Sequence, residues 1–235
     1  QMIQSQKKSG RPQEALRLLN VSECVYFPSL VGPLRELAKE TFQKENPECV
    51  ENLKKVLQIL LRSSELNNNL RAELSRLMEV THLLSLRNFL QTKEEFEMAA
   101  RVQFSLLRYV GTIPMYKTFF QAGRALQKSN LDKLAFVVLN AFLDMYEAVE
   151  EEAPLEISDR DILDLLDIPN LEDLPLPESN FISEDEKNQI RDWLLSTSSK
   201  YGTELCLEKT RCAHCGASIS TKCLNCPKCL GVLGE

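Results

Sequence analysis

The sequence predicts an all-α chain: a tetratricopeptide-like solenoid of antiparallel helical hairpins, then an acidic linker, then a small C-terminal four-cysteine zinc module. Three observations lead there. Apolar residues from Leu34 to Glu147 recur with helical period, the breaks between runs are only a few residues long, and five of the eight cysteines crowd into residues 212–235 at metal-ligand spacing. With 235 residues, 43% hydrophobic and 26% charged, the chain is large and apolar enough to bury a core.

In chain order, Leu53, Val56, Leu57, Leu60 and Leu61 make the first apolar stripe. Leu66 to Leu90 carries Leu70, Leu74, Leu77 and further leucines, and Phe96, Ala99, Ala100, Phe104 and Leu107 form another stripe. Pro114 sits early in the next segment, where proline is tolerated, ahead of Tyr116, Phe119, Phe120 and Ala122. Leu131 to Tyr146 is apolar on most sides, so it is expected to be the most buried element. Breaks are expected at Asn46-Pro47, Ser63-Ser64, Gln91-Thr92-Lys93, Gly111-Thr112 and Ser129-Asn130. Helices joined by such short turns pack as antiparallel hairpins. Two helices span roughly 35 to 40 residues, near the tetratricopeptide period, although no clean repeat consensus is present.

At Glu147 the composition changes. From there to Glu186 fifteen acidic residues stand against one basic residue, Arg160, a net −14 that leaves +8 for the rest of a chain of net charge −6. Pro154, Pro169, Pro175 and Pro177 lie among the acids. A short helix is expected to start at Ser158 and run to about Asp167, while Leu174-Pro175-Leu176-Pro177 has to be extended. Such a segment is a solvated tether, a strap over the helices or a contact for a partner. Ser183 and Glu186 then form a capping box opening an amphipathic helix whose Ile190, Trp193 and Leu194 share a face, with Trp193 as a core anchor. The boundaries are therefore 1–149 for the solenoid, 150–182 for the linker, 183–205 for the amphipathic helix and 206–235 for the cysteine module.

Cys24 and Cys49 are isolated in helical sequence, where a free thiol acts as a small core hydrophobe. The tail holds the chemistry. Cys212-x2-Cys215-Gly216 and Cys226-Pro227-x-Cys229-x-Gly231 are two knuckles. Two thiolates three residues apart on a tight turn reach one ion along a tetrahedral edge, and the glycine lets backbone N–H groups turn toward the sulfurs. Zn²⁺ takes four such ligands in a closed structural site, so the expected metal ligands are Cys212, Cys215, Cys226 and Cys229. Cys223 also stands in C-x2-C register with Cys226, and Cys223/Cys226 is the alternative second pair; Pro227 and Gly231 favour Cys226/Cys229. His214, between two ligands, is expected to be exposed, and His82 is a packed or partly exposed histidine of a leucine-rich helix.

This spacing is that of a reducing, intracellular compartment rather than a disulfide framework. No apolar run approaches the roughly 18 residues of a membrane span, so no membrane insertion is expected. A closed thiolate site offers no position for hydrolysis, and no phosphate loop or nucleophile elbow is present, so the chain is expected not to be an enzyme. The tail lacks an aromatic residue to stack a base, which argues against nucleic acid. Gln1 and the polar sequence after Met2 read as a start inside a longer protein.

Phe119-Phe120-Gln121-Ala122-Gly123, Leu134 to Asp144, Glu150-Glu151, Asp167-Ile168-Pro169, Leu174 to Pro177, Glu186 and Arg191-Asp192-Trp193 occur in an order and spacing that resemble the C-terminal region of the largest subunit of the intraflagellar transport B complex. That resemblance implies a segment of a long protein with N-terminal WD-repeat propellers and a tetratricopeptide-like solenoid. It further implies a non-enzymatic scaffold in the cytoplasm and the cilium or flagellum, associated with the cytoskeleton, with subunits of the transport A and B complexes as partners. Because the family's extreme C-terminus is similar to a U-box, ubiquitin binding or an accessory part in ubiquitin transfer is the alternative. Residues 212–235 are too few for a U-box, and the cysteine pairs depart from its metal-free pattern.

Overall fold

The computed structural model describes residues 27–62, 66–157, 168, 171, 174–177, 182–201, 209–220, 226 and 228–229. They form helices α1 (Phe27–Lys44), α2 (Pro47–Leu61), α3 (Asn68–Thr92), α4 (Phe96–Ser105), a 3-10 turn (Leu106–Tyr109), α5 (Met115–Lys128), α6 (Asp132–Glu150) and α7 (Glu184–Tyr201). Strands β1 (Lys209–Arg211) and β2 (Ser218–Ser220) come last. The all-α expectation therefore holds for the described residues up to Tyr201, with one small antiparallel hairpin beyond it that periodicity did not reveal. The helix expected from Ser158 to Asp167 and the break at Ser63-Ser64 lie outside the described residues. The chain divides into two compact units, 1–89 and 90–235.

In the first unit α2 begins where its cap dictates. The Asn46 side chain accepts from the backbone N–H groups of Glu48 and Cys49, and Pro47 fills a first-turn position that needs no donor. Leu53, Val56, Leu57 and Leu60 are buried as their stripe predicts, as is Cys49, while Leu61 is only partly covered. Polar partners fix the order of helices. Arg35 pairs with Glu73, and Arg87 with Glu45 at 2.6 Å, so α1 and α3 run the same way. Lys54 meets Ser85, and Arg71 donates to the Leu61 carbonyl, so α2 runs against α3. Glu73 sits below the usual carboxylate range, first because the Arg35 guanidinium donates to it. His82 is exposed.

The second unit is a succession of antiparallel neighbours. Ser129 contacts the Phe96 carbonyl and Gln103 reaches Gln121, which sets α4 against α5. Gly123 meets Leu139 near the Ser129-Asn130 turn, and Phe120 and Tyr116 meet Phe142 further from it, which sets α5 against α6. Helix α6 is buried nearly all round, as its sequence predicts: Leu134, Ala135, Val137, Val138, Leu139, Ala141, Phe142, Leu143, Met145, Tyr146 and Ala148 are covered. Gly123 lets α5 approach α6 closely, because a Cβ there would fall 2.4 Å from Leu139 Cδ2.

The acidic segment is not simply solvated in its described part. Leu155, Ile168, Leu171 and Ile182 are buried in the same core as α5 and α6, with Ile157, Leu174 and Leu176 packed against it. Of the readings left open by sequence, the strap over the helices describes these residues. Helix α7 then lies antiparallel to α6, with the capping box formed: Ser183 N–H donates to Glu186 Oε2 at 3.1 Å and Glu186 N–H to Ser183 Oγ at 3.3 Å. Ile190 and Leu194 are buried and Trp193 is half-buried against the core. No helix among the described residues is long and apolar enough to cross a membrane.

Candidate metal centre

The hairpin is built around the first knuckle. Thr210 pairs with Ile219 and Arg211 with Ser218, leaving residues 212–217 as the connecting turn. Two backbone bonds close it: Cys212 N–H to the Ala217 carbonyl and Gly216 N–H to the Cys212 carbonyl, both at 2.9 Å. Gly216 takes φ +71°, the left-handed conformation a side chain resists, and this bend returns the chain to β2. Ile219 and the sulfur-bearing Cys212 and Cys226 are buried together, with Ala217 packed on them, a core too small to hold a fold by burial alone.

The second knuckle brings Cys226 and Cys229 to the first. The sulfurs of Cys212, Cys215, Cys226 and Cys229 all lie within 4.8 Å of one another. Cys212 and Cys229 are 3.6 Å apart, as are Cys215 and Cys226. Four sulfurs bonded at ~2.3 Å to one tetrahedral zinc would stand about 3.8 Å from each other, so the donor set has the size such an ion needs. The arrangement can hold a metal ion. Cys206 and Cys223 lie outside the described residues.

Electrostatics favour thiolate at the first ligand. The Cys212 thiol is lowered to about 6, chiefly by the backbone N–H of Cys215, against desolvation, with further help from His214 N–H and the sulfurs of Cys226 and Cys229. His214 is exposed, as its position between two ligands predicts, and its backbone N–H, 3.4 Å from Cys212 Sγ, is the part that faces the cluster. Cys212 and Cys226 are buried, while Cys215 and Cys229 are exposed.

A polar latch between α6 and α7 was not foreseen from sequence. Lys187, only 6% exposed, donates to Glu150 at 2.6 Å, lies 3.6 Å from Glu184 and sits 4.4 Å above the Tyr146 ring. Tyr146 donates to Glu184 Oε1 at 2.7 Å. The Glu150 bond holds Lys187 above its ordinary value, and the Tyr146 hydroxyl, ahead of Lys187 and Arg191, holds Glu184 below its own. Arg191 with Glu147 and Lys200 with Asp132 extend the seam. The sequence signal was present, since three acids open α7 and Lys187 comes directly after them, but nothing in it paired them with α6.

Helical hairpins with a compact cysteine cluster define a class: an α-helical protein with four sulfurs placed so that they could hold a metal ion. Comparison with known proteins is more specific. The chain is 35% identical over 140 residues to "Intraflagellar transport protein 172 homolog" of Homo sapiens, covering 59% of this chain and 8% of that protein. It is 34% identical over 136 residues to "Intraflagellar transport protein 172" of Chlamydomonas reinhardtii, covering 57% and 8%. With the Danio rerio homologue identity is 27% over 213 residues, 86% of this chain and 12% of the relative. Over these spans the chain is similar to intraflagellar transport protein 172 of several organisms, so the resemblance read from its residues stands. The chain spans about a tenth of the length of these relatives. No protein-family model matches it.

Proposed function

We propose that this chain is a non-catalytic scaffold segment of a ciliary intraflagellar transport subunit, binding protein partners through its paired helices and its C-terminal tail. Similarity to intraflagellar transport protein 172 across 140 residues carries the reading. Its site of action is the cilium or flagellum, and its partners are other subunits of the transport complexes. Residues 1–149 serve as the tetratricopeptide-like solenoid, 150–182 as the strap, 183–205 as the closing helix and 206–235 as the metal module.

In the metal module Zn²⁺ is held by Cys212, Cys215, Cys226 and Cys229; separations near 3.6 Å and N–H groups aimed at Cys212 support this assignment. A bound zinc supplies folding energy to a hairpin with almost no core. Cys212 and Cys226 anchor it from inside and Gly216 sets the turn, while a filled tetrahedron leaves no place for a substrate. Ubiquitin transfer draws no support from the relatives' names.

The test removes these residues from the full-length protein in a ciliated cell. Shortened cilia are expected, with loss of transport subunits from the protein's immunoprecipitate. Normal cilia with full recovery of those subunits would overturn the proposal. Native mass spectrometry of the chain should show one zinc, and a metal-free chain with a formed hairpin would refute the metal assignment.

A further inference from the structure

The four sulfurs are not equivalent. Cys212 is buried and has the backbone N–H of His214 directed at its sulfur at 3.4 Å, which spreads its charge and weakens it as a nucleophile. Cys226 is buried, and among the described residues no backbone N–H is directed at it. Cys215 and Cys229 belong to exposed residues. Each exposed sulfur has a buried one 3.6 Å away, Cys226 for Cys215 and Cys212 for Cys229. Both exposed residues lie at the surface, but their buried neighbours differ in reactivity. Cys229 stands beside the charge-stabilised Cys212, while Cys215 stands beside Cys226.

We propose that Cys215 is a modification site, the sulfur at which a low-molecular-weight disulfide such as glutathione disulfide enters and opens the metal centre. The inference rests on the reading that the four cysteines hold zinc. In the first step the Cys215 thiolate attacks one sulfur of the disulfide. A Cys215–glutathione bond forms, the disulfide bond breaks, and one glutathione thiolate leaves. In the second step the Cys226 thiolate attacks Cys215 Sγ across the 3.6 Å gap and expels the second glutathione thiolate. The two cysteines are oxidised by two electrons, one disulfide is reduced to two thiolates, and Zn²⁺ departs because half its ligands are gone. The product, a Cys215–Cys226 disulfide, joins the two knuckles covalently, so the tail exchanges one cross-link for another. Excess reduced thiol and zinc reverse both steps.

The experiment uses the zinc-loaded chain, with zinc stoichiometry measured before any reagent is added. Sub-stoichiometric N-ethylmaleimide and then peptide mapping rank the sulfurs, and Cys215 is expected to label about tenfold faster than Cys212 and Cys226. Glutathione disulfide in excess is then added, zinc release is monitored with a chromogenic chelator, and disulfides are mapped by mass spectrometry. Zinc release in step with a Cys215–Cys226 disulfide is the supporting result. First labelling at Cys212 or Cys226, zinc release with a Cys212–Cys229 disulfide instead, or zinc retained under excess disulfide overturns the inference and leaves the zinc reading intact. A chain that holds no zinc at the outset fails the metal reading itself.

Discussion

Replacing Gly123 with alanine sets two well-measured effects against each other. In an exposed helix the change would stabilise by about 1 kcal/mol, because alanine restricts the unfolded chain and favours the helix. At this position the new Cβ would stand 2.4 Å from Leu139 Cδ2 and 2.6 Å from Leu139 Cγ. Ordinary carbon contacts lie at ~3.5–4.0 Å, so something must give by more than about 1 Å. Leu139 is fully buried and cannot swing into solvent, so α5 and α6 part or Leu139 leaves its rotamer. Overpacking of this kind costs about 1–3 kcal/mol. The packing cost outweighs the helix gain, for a net loss of about 1 kcal/mol and a drop of roughly 2–4 °C in Tm. Thermal unfolding monitored by circular dichroism measures it. The decisive arm is a double-mutant cycle: with Leu139→Ala in place the obstruction is gone, and Gly123→Ala should then stabilise, giving a coupling of about 1–3 kcal/mol. A higher Tm for Gly123→Ala alone, or no coupling in the cycle, would refute the close approach of these helices.

Asn46→Ala removes the acceptor for two N–H groups at the start of α2 and should cost about 1 kcal/mol in chemical denaturation, with Asn46→Asp retaining most of the stability. Glu184 has a lowered pKa because Tyr146, Lys187 and Arg191 favour its carboxylate, so its contribution is present above the ordinary carboxylate range and is lost as pH falls through the folded-state value. Glu184→Gln should therefore flatten the acid limb of a stability–pH curve and leave the shape above pH ~6 unchanged. Gly216→Ala forces a side chain into φ +71° and should cost about 1–2 kcal/mol, read as faster loss of zinc to a chelator while helical content holds. Chelation of the intact chain should likewise erase the β1–β2 hairpin signals in NMR and leave the α5–α6 resonances in place.

Much of the fold was legible because it depends on local rules. Asn46-Pro47 stops one helix and caps the next through atoms a few residues apart, and the Ser183–Glu186 box is a three-residue relation. The burial of α6 comes from having apolar residues on every side. Failures arise where local pattern meets an edge. Phe96 matched its stripe, yet it is 62% exposed because it opens α4, and a helical side chain covers the turn before it, which here does not exist. The apolar period reads from Leu34, but α1 begins at Phe27 and runs through Pro33, which forgoes one backbone bond inside the helix. Leu106 to Tyr109 read as helix and tightened into a 3-10 turn before Gly111. The strap was ambiguous because proline and acid density signal solvation, while Leu155, Ile168, Leu171 and Ile182 are too widely spaced to show any period. Cysteine spacing picked out the four sulfurs that come together, but the β1–β2 pairing needed contacts across the knuckle that spacing does not encode.

The antiparallel seam of α6 and α7 has a bearing on how this region can change length. Tyr146 and Glu150 grip Glu184 and Lys187, so the end of α6 and the start of α7 are pinned by the same few side chains, which closes a loop of chain between them. Doubling such a loop adds only about 0.6 kcal/mol of closure entropy, far less than inserting a residue into α6 would cost. Insertions and deletions among relatives should accordingly gather between the buried leucines and isoleucines of the strap, which act as fixed stitches along a thread of adjustable slack.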